Sequence, residues 1–444
     1  MAFDPDRLVE RLPPAAGYWV AFSGGLDSTV LLHALAAGAP RLAGPLRAVH
    51  VDHGWSLQSP AWARHCQAVC DGLGVACVQR RVDAPPAPGE SPEAAARKAR
   101  YGVLRGLVGG GEAVVTAHHR DDQAETVLLQ LLRGAGPRGL AAMAPEAVFG
   151  AGRLLRPLLG VPRAELRAYA AAAGLRWLDD PANADPDYDR SYLRQSVAPR
   201  LRRRWPGFEA VLARSADHCA EASALLDERA REDRAAARGR APGSLAVSRL
   251  RGLSGPRRRN LLRFWLRTRG LPVPGTARLR ELERLLAARA DAEPRLAWPG
   301  AEVRRYRDDL HALVPLAPVP TGAWPWDLAG PFELPGLGRL VAGPAVGTGL
   351  SAAACRGGVE VRFRAGGERC RPAPGSPSRP LKKLFQEAGV APWWRARWPL
   401  LFVAGRLAAV PGLWTCQGWR AGPGEPGIAV ALETLSDGAG PAAG

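Results

Sequence analysis

Ser23, Gly24, Gly25, Leu26, Asp27 and Ser28 stand in succession and have the make-up of an anion cradle. Two glycines let the backbone turn sharply and approach a charged group, two hydroxyls add donors, and a carboxylate stands among them. The flanks complete the chemistry. Gly17 to Phe22 reads as a strand and Thr29 to Ala36 as an apolar helix, so the positive end of a helix points at whatever the loop holds. A polyphosphate is the ligand this arrangement predicts. The Gly-Lys-Ser/Thr ending of a Walker loop is absent from the chain, which argues against γ-phosphoryl transfer of the kinase or GTPase kind. A serine-rich turn that holds nothing is the plain alternative.

Further polar clusters lie downstream. His50, Asp52 and His53 fall at the end of an apolar run beginning at Leu46. Ser91 is a good N-cap before Pro92, and Glu93, Arg97, Arg100 and Tyr101 then recur at helical spacing. Alone, that segment is a solvated helix with intrahelical ion pairs. The densest segment runs from Val115 to Gly134 as strand, polar turn and apolar helix. Within it His118, Asp122 and Glu125 are spaced i, i+4, i+7 and share one helix face. Such a set can hold a metal, and its carboxylate pair suits an ammonium group equally well. A capped helix start explains Asp121 and Asp122 but not the whole cluster. Arg190, Arg194, Arg200, Arg202, Arg203 and Arg204 follow, then Pro256 to Asn260 and Lys382-Lys383. These are phosphate-gripping surfaces or solvated basic helices.

The elements that must position these groups follow from periodicity. Apolar runs at Tyr18 to Phe22, Leu46 to Val51, Ala76 to Val82 and Ala113 to Ala117 alternate with helical stretches such as Trp62 to Leu73 and Ser91 to Leu107. That pattern predicts an α/β domain, a doubly wound parallel sheet, over residues 1–205. Such sheets bind ligands beyond the carboxyl ends of their strands, where Ser23, Asp52 and His118 fall. Residues 206–320 read as a helical domain, with amphipathic candidates at Phe208 to Ala237, Pro256 to Arg269 and Thr276 to Ala290 and a stiff connector from Pro315 to Pro320. Short β-like runs rich in Gly and Pro predict a small C-terminal mixed α/β domain over 321–435, and 436–444 a disordered tail. No internal repeat is present.

At 444 residues the chain is long enough for two to four domains. Sixty basic against 42 acidic residues give a net charge of +18, which favours an anionic macromolecule, nucleic acid first and a membrane surface second. Only Lys98, Lys382 and Lys383 are lysines. That is a general compositional bias, in which the surviving lysines mark sites for a flexible point charge or persist by chance. The seven cysteines form no CxxC pair and cannot all be bridged, which suits a reducing compartment. There is no apolar run of membrane-spanning length and no signal-peptide core between Met1 and Pro14. A cytoplasmic protein without membrane association is expected.

The Ser-Gly-Gly-x-Asp-Ser loop resembles the pyrophosphate loop of the N-type ATP pyrophosphatases. Taken with residues 51–54, 93–101 and 117–128, in that order and spacing, it is similar to the tRNA(Ile)-lysidine synthetases. The likeness continues through 132–136, 156–159, 180–183 and 189–194, then returns in 379–385 and 393–413, with Ser191-Tyr192 as a departure. The resemblance implies ATP-dependent conversion of the wobble cytidine in the CAU anticodon of tRNA(Ile) to lysidine with L-lysine, through an adenylated cytidine. It implies that Ser23, Gly24, Gly25, Leu26, Asp27 and Ser28 bind ATP and that Asp27 contacts Mg2+ or positions lysine. It further implies that His118 and Arg97 line the adenylate site, that Asp122 and Glu125 recognise lysine, and that Arg190, Arg194, Lys382 and Lys383 meet tRNA. No protein partner is implied. A tRNA thiolation enzyme of the same superfamily is the nearest rival, but Cys66, Cys70 and Cys77 lie in a helical crossover and the next strand. A tRNA binder without turnover would need neither the intact loop nor the carboxylates.

Overall fold

A computed structural model describes residues 3–52, 59–83, 85–86, 91–179, 185, 187–289, 293–335, 337–373 and 375–434. His53, Gly54, residues 180–183, the tail from 436 and the side chain of Glu93 lie outside that description. The chain divides into two compact units, Met1–Leu225 and Leu226–Gly444.

The first unit is built on a six-stranded sheet of β1 (Tyr18–Ala21), β2 (Leu46–Asp52), β3 (Ala76–Arg81), β4 (Ala113–Val115), β5 (Glu146–Phe149) and β6 (Gly152–Leu155), in the order β3-β2-β1-β4-β6-β5. All neighbours are parallel except the β5–β6 hairpin. The period-2 alternation of β1 sorts its side chains into two cores. Tyr18, Val20 and Phe22 pack with Leu31, Leu35, Leu158 and Leu166 on one face. Trp19 joins Val49, Leu104, Val108 and Leu154 on the other. Both faces are therefore covered, as a parallel sheet requires.

The crossovers are α2 (Leu26–Ala37), α3 (Ser59–Gly72) and α4 (Pro92–Leu107), preceded by α1 (Pro5–Glu10). Because α2 is apolar almost all round, it lies buried against the sheet. Ser91 caps α4 as expected, its hydroxyl accepting the Ala94 amide at 3.3 Å. The route through α4 carries the chain from β3 past β2 and β1 to β4. The strand order thus switches between β1 and β4, and the carboxyl ends of those two strands flank the ligand crevice of the fold. Next come α5 (Arg120–Leu132), α6 (Pro137–Leu140) and α7 (Arg163–Ala172). Beyond them, α8 (Asp189–Tyr192) runs through a π-helical turn at Leu193–Val197 into α9 (Ala198–Arg204), and α10 (Phe208–Ala236) follows.

In the second unit α11 (Val247–Gly252), α12 (Gly255–Thr268) and α13 (Thr276–Ala287) pack on a four-stranded antiparallel sheet, β7 (Leu245–Ala246), β8 (Arg295–Trp298), β9 (Ala301–Tyr306) and β10 (Asp309–Leu313). Leu261, Trp265, Leu279, Leu282, Val303 and Leu310 form its core. The helices match the amphipathic pattern, whereas the sheet is an addition to it. Residues 323–434 form a five-stranded and a four-stranded antiparallel sheet, a two-stranded ribbon and the short helices Leu381–Glu387 and Pro392–Arg395. Cys370 and Cys416 are disulfide-bonded inside this core, and the other five cysteines are free. No helix among the described residues is long and apolar enough to cross a membrane.

Candidate active site

The cradle forms where β1 gives way to α2. Phe22 extends the strand by one rung, its amide donating to the Val49 carbonyl at 2.9 Å. Gly24 then takes φ +80°, and a Cβ placed there would stand 2.9 Å from Cys66 Sγ. Both facts demand glycine. Gly25 is the N-cap of α2 and offers no side chain to its first amides. Its carbonyl accepts the Thr29 amide and hydroxyl at 2.9 Å each and the Ser28 hydroxyl at 3.0 Å. Ser23 Oγ lies 3.0 Å from Ser28 Oγ. The first-turn amides from Leu26 on have no carbonyl one turn back to bond and, with the helix dipole, suit a bound phosphate.

Asp27 opens toward an arginine and a histidine. Arg163 Nε donates to its Oδ1 at 3.3 Å, and His119 Nε2 is 3.7 Å from its Oδ2. Burial works to raise the Asp27 pKa, yet His119 and Arg163 outweigh it and hold the carboxyl below its ordinary value. His119 is almost wholly buried and caps α5: Nδ1 accepts the Asp122 amide at 3.3 Å while Asp122 Oδ2 accepts the His119 amide at 3.1 Å. That bond leaves the ring proton on Nε2, between Asp27 and Asp122 Oδ2, the latter at 3.4 Å. Burial lowers the His119 pKa, but Asp27, Asp122 and Asp121 raise it overall.

His118, its neighbour, faces elsewhere. Its Nδ1 is 2.8 Å from Thr116 Oγ1. Burial, followed by the charges of Arg97, Arg156 and Arg190, pushes its pKa down to about 3 despite Asp122. It is therefore a neutral hydrogen-bonding group across the neutral range. Arg97 lies over the Tyr101 ring, 4.8 Å from its centroid, and Arg156 interacts with the same tyrosine. Arg97 and Arg156 carry positive charge beside the neutral His118, a wall suited to an anion.

Asp122 and Glu125 do share one face of α5, and arginines meet both. Arg194 forms a bidentate pair with Glu125, Nε to Oε1 at 2.8 Å and Nη2 to Oε2 at 2.9 Å, and reaches Asp122 Oδ1 at 3.3 Å. Arg190 Nη1 is 3.8 Å from Glu125 and 4.0 Å from Asp122, with Nη2 donating to Thr126 at 3.2 Å. The carboxylates expected to meet lysine and the arginines expected to meet tRNA thus form one cluster. Burial raises the Glu125 pKa, and Arg194 and Arg190 only partly oppose it. Ser191 is buried and Tyr192 half exposed beside them. Among the described residues no three His, Cys, Asp or Glu side chains gather as a metal cage, so His118, Asp122 and Glu125 make no such site.

A cavity of about 580 Å³ adjoins the cluster, lined in part by Asp121, Glu125, Arg163, Arg194, Arg202 and Glu209. His50 sits behind the cradle, Nδ1 3.0 Å from the Phe22 carbonyl, and serves the strand end. Lys382 and Lys383 are exposed on a helix of the second unit that is anchored by Leu381, Leu384 and Phe385. Sequence reasoning missed His119, Arg156 and Arg163 as site groups. The histidine doublet marked the first and an arginine directly after a strand the second, but nothing local marked Arg163, which is 136 positions from Asp27.

Three family models match this chain: the PP-loop domain over residues 6–201, the TilS substrate binding domain over 245–311 and the TilS substrate C-terminal domain over 359–432. Curated relatives align along nearly the whole length. The tRNA(Ile)-lysidine synthase of Alkalilimnicola ehrlichii is 48% identical over 433 residues, covering 95% of each chain. That of Methylococcus capsulatus is 45% identical, covering 97% of this chain and 99% of its own, and that of Coxiella burnetii 39%, covering 94% of each.

Proposed function

The chain belongs to the tRNA(Ile)-lysidine synthases and is a ligase that forms lysidine on tRNA(Ile) with ATP, and we propose that its two reactions share the crevice between β1 and β4. In the first, O2 of the wobble cytosine in the CAU anticodon attacks the α-phosphorus of ATP and pyrophosphate leaves. In the second, the ε-amine of L-lysine attacks C2, the C2–O bond breaks, and AMP departs with its electron pair. Adenylation turns a poor leaving oxygen into a good one. Codon specificity changes from AUG to AUA.

Ser23, Gly24, Gly25, Leu26 and Ser28 would cradle the pyrophosphate. His118 and Arg97, joined by Arg156, would line the adenylate. Asp122 and Glu125 would receive the charged groups of lysine. Arg190 and Arg194 would compensate those carboxylates on one edge and meet tRNA phosphates on the other, while Lys382 and Lys383 contact tRNA elsewhere. Asp27 remains ionised and is a single carboxylate beside a phosphate cradle, a donor set that fits Mg2+ carried on substrate phosphates. That ion would neutralise polyphosphate charge. The lysine amine must lose a proton before attack, which costs roughly 4 to 5 kcal/mol near pH 7 from a free pKa of about 10.4. A nearby carboxylate and exclusion of water offset that cost. The reaction belongs to the cytoplasm, where tRNA is used.

The observation that supports this reading is His119, whose Nε2 lies 3.7 Å from Asp27 and 3.4 Å from Asp122. Phosphate loop and amine-binding carboxylates are thus one side chain apart. Incubation with ATP, labelled lysine and a CAU-anticodon isoleucine transcript, followed by nucleoside mass analysis, should show lysine joined to the wobble cytidine only when ATP is present. An unchanged anticodon with no pyrophosphate release would overturn the assignment.

A further inference from the structure

Helix α7 has no capping side chain of its own. Its N-cap is Pro162, whose side chain accepts no hydrogen bond, which leaves the first amide open to a partner from elsewhere in the fold. Asp121 of α5 is that partner, its Oδ2 accepting the Arg163 amide at 2.9 Å. Arg163 is the first residue of α7, and its guanidinium is the one that reaches Asp27 at 3.3 Å. Asp121 thus holds the backbone of the residue whose side chain meets the nucleotide loop.

Asp121 is held in turn. Its Oδ1 is 3.6 Å from Arg202 Nη2. Arg202 donates through Nε to Glu209 Oε1 at 2.9 Å and again through Nη2. Glu209 is only 9% exposed and lies in the first turn of α10, where a carboxylate complements the helix dipole. Gly207, at φ +79°, makes the bend that brings it back over α9. Charges alternate from Glu209 through Arg202, Asp121 and Arg163 to Asp27, with the first four lining the same cavity of about 580 Å³.

We infer that Arg202 and Glu209 are positioning residues for the adenylation step, acting on Asp27 through Asp121 and Arg163. A basic run that reads as an RNA-gripping surface thus pairs one of its half-exposed members with carboxylates of its own unit. The inference rests on the assignment of Asp27 to the nucleotide site.

The test uses the full-length enzyme and pyrophosphate release with saturating ATP and lysine and with tRNA varied through its KM. Arg202→Gln and Glu209→Gln should each lower kcat about tenfold while the KM for tRNA stays within about twofold. The double variant should be no worse than the more damaged single one, because both break the same chain. Arg202→Lys should recover only part of the loss, since an ammonium cannot reproduce the guanidinium fork. Unchanged kcat, additive losses, or a raised tRNA KM at constant kcat would each overturn the inference, the last by showing that Arg202 grips RNA directly. If a glutamine variant melts well below the wild type, Arg202→Lys and Glu209→Asp are read instead, with lost or unchanged kcat deciding as before. Asp27→Asn separates the two layers. Full activity in it removes the Asp27 assignment, whereas an inactive Asp27→Asn beside wild-type Arg202 and Glu209 variants removes the relay alone.

Discussion

Glu125 carries opposing demands at the scale of one side chain. Burial raises its pKa above the ordinary 4.5 even with Arg194 beside it, so over the window above 4.5 the native state holds a proton that the unfolded chain has released. Stability then falls as pH rises through that window. Glu125→Gln has no such titration. Its Tm relative to wild type should become more favourable between pH 4 and pH 7, while lysine-dependent turnover falls by about tenfold or more. Thermal melts at the two pH values, paired with lysine saturation curves, check both halves, and a difference that shrinks toward pH 7 would contradict the buried-carboxylate account. The cradle, Asp122 and Glu125 were legible because their residue types lie close together along the chain. His118 was read for its neighbour as well as for itself: adjacent side chains at a strand end point apart, and only the fold shows that His119 is the one turned to Asp27. The pairing of Arg194 with Glu125 joins residues 69 positions apart and left no local mark.

At the scale of elements, the strand-to-helix turn depends on Gly24 in two separable ways. A left-handed residue with a Cβ costs about 1–2 kcal/mol, and that Cβ would press on Cys66 Sγ, 2.9 Å away on α3. Gly24→Ala should raise the ATP KM by about tenfold, the equivalent of 1.4 kcal/mol. Adding Cys66→Ala should recover part of the loss and no more, because the positive φ remains. Full recovery in the double variant would mean that only the steric clash matters. Elements whose pattern is strong were legible: Tyr18–Ala21, Leu46–Asp52 and Ala76–Arg81 fall within a residue or so of expectation. Those with mixed chemistry were not. β8 and β9 carry Arg295, Glu302, Arg304 and Arg305 and read as polar. Yet Glu302 is fully buried between Arg295 at 2.7 Å and Arg304 at 2.8 Å, so the charges satisfy one another within the sheet. The β5–β6 hairpin escaped for a related reason, being short, at the sheet edge and with Val148 90% exposed.

Over the whole molecule, a net charge of +18 acts on a polyanionic substrate through counterion release. Many arginines are paired with carboxylates of the chain itself: Arg202 with Glu209 in the first unit, Arg257 with Asp233 and Arg304 with Glu302 in the second. Total charge therefore overstates the surface free to meet RNA. Lys382 and Lys383 differ, because their helix buries Leu381, Leu384 and Phe385 and turns both ammonium groups to solvent. Replacing both with alanine should weaken tRNA binding most at low salt. The slope of log affinity against log salt should become shallower by roughly two, about one for each phosphate no longer neutralised. The KM for ATP should not move, since the cradle and its arginines lie in the other unit. Binding titrations across a salt series, set beside ATP saturation curves for the same variant, separate the outcomes. An unchanged salt slope would show that these lysines do not touch phosphates. Equal losses toward both substrates would show that they support the enzyme as a whole and not its grip on RNA.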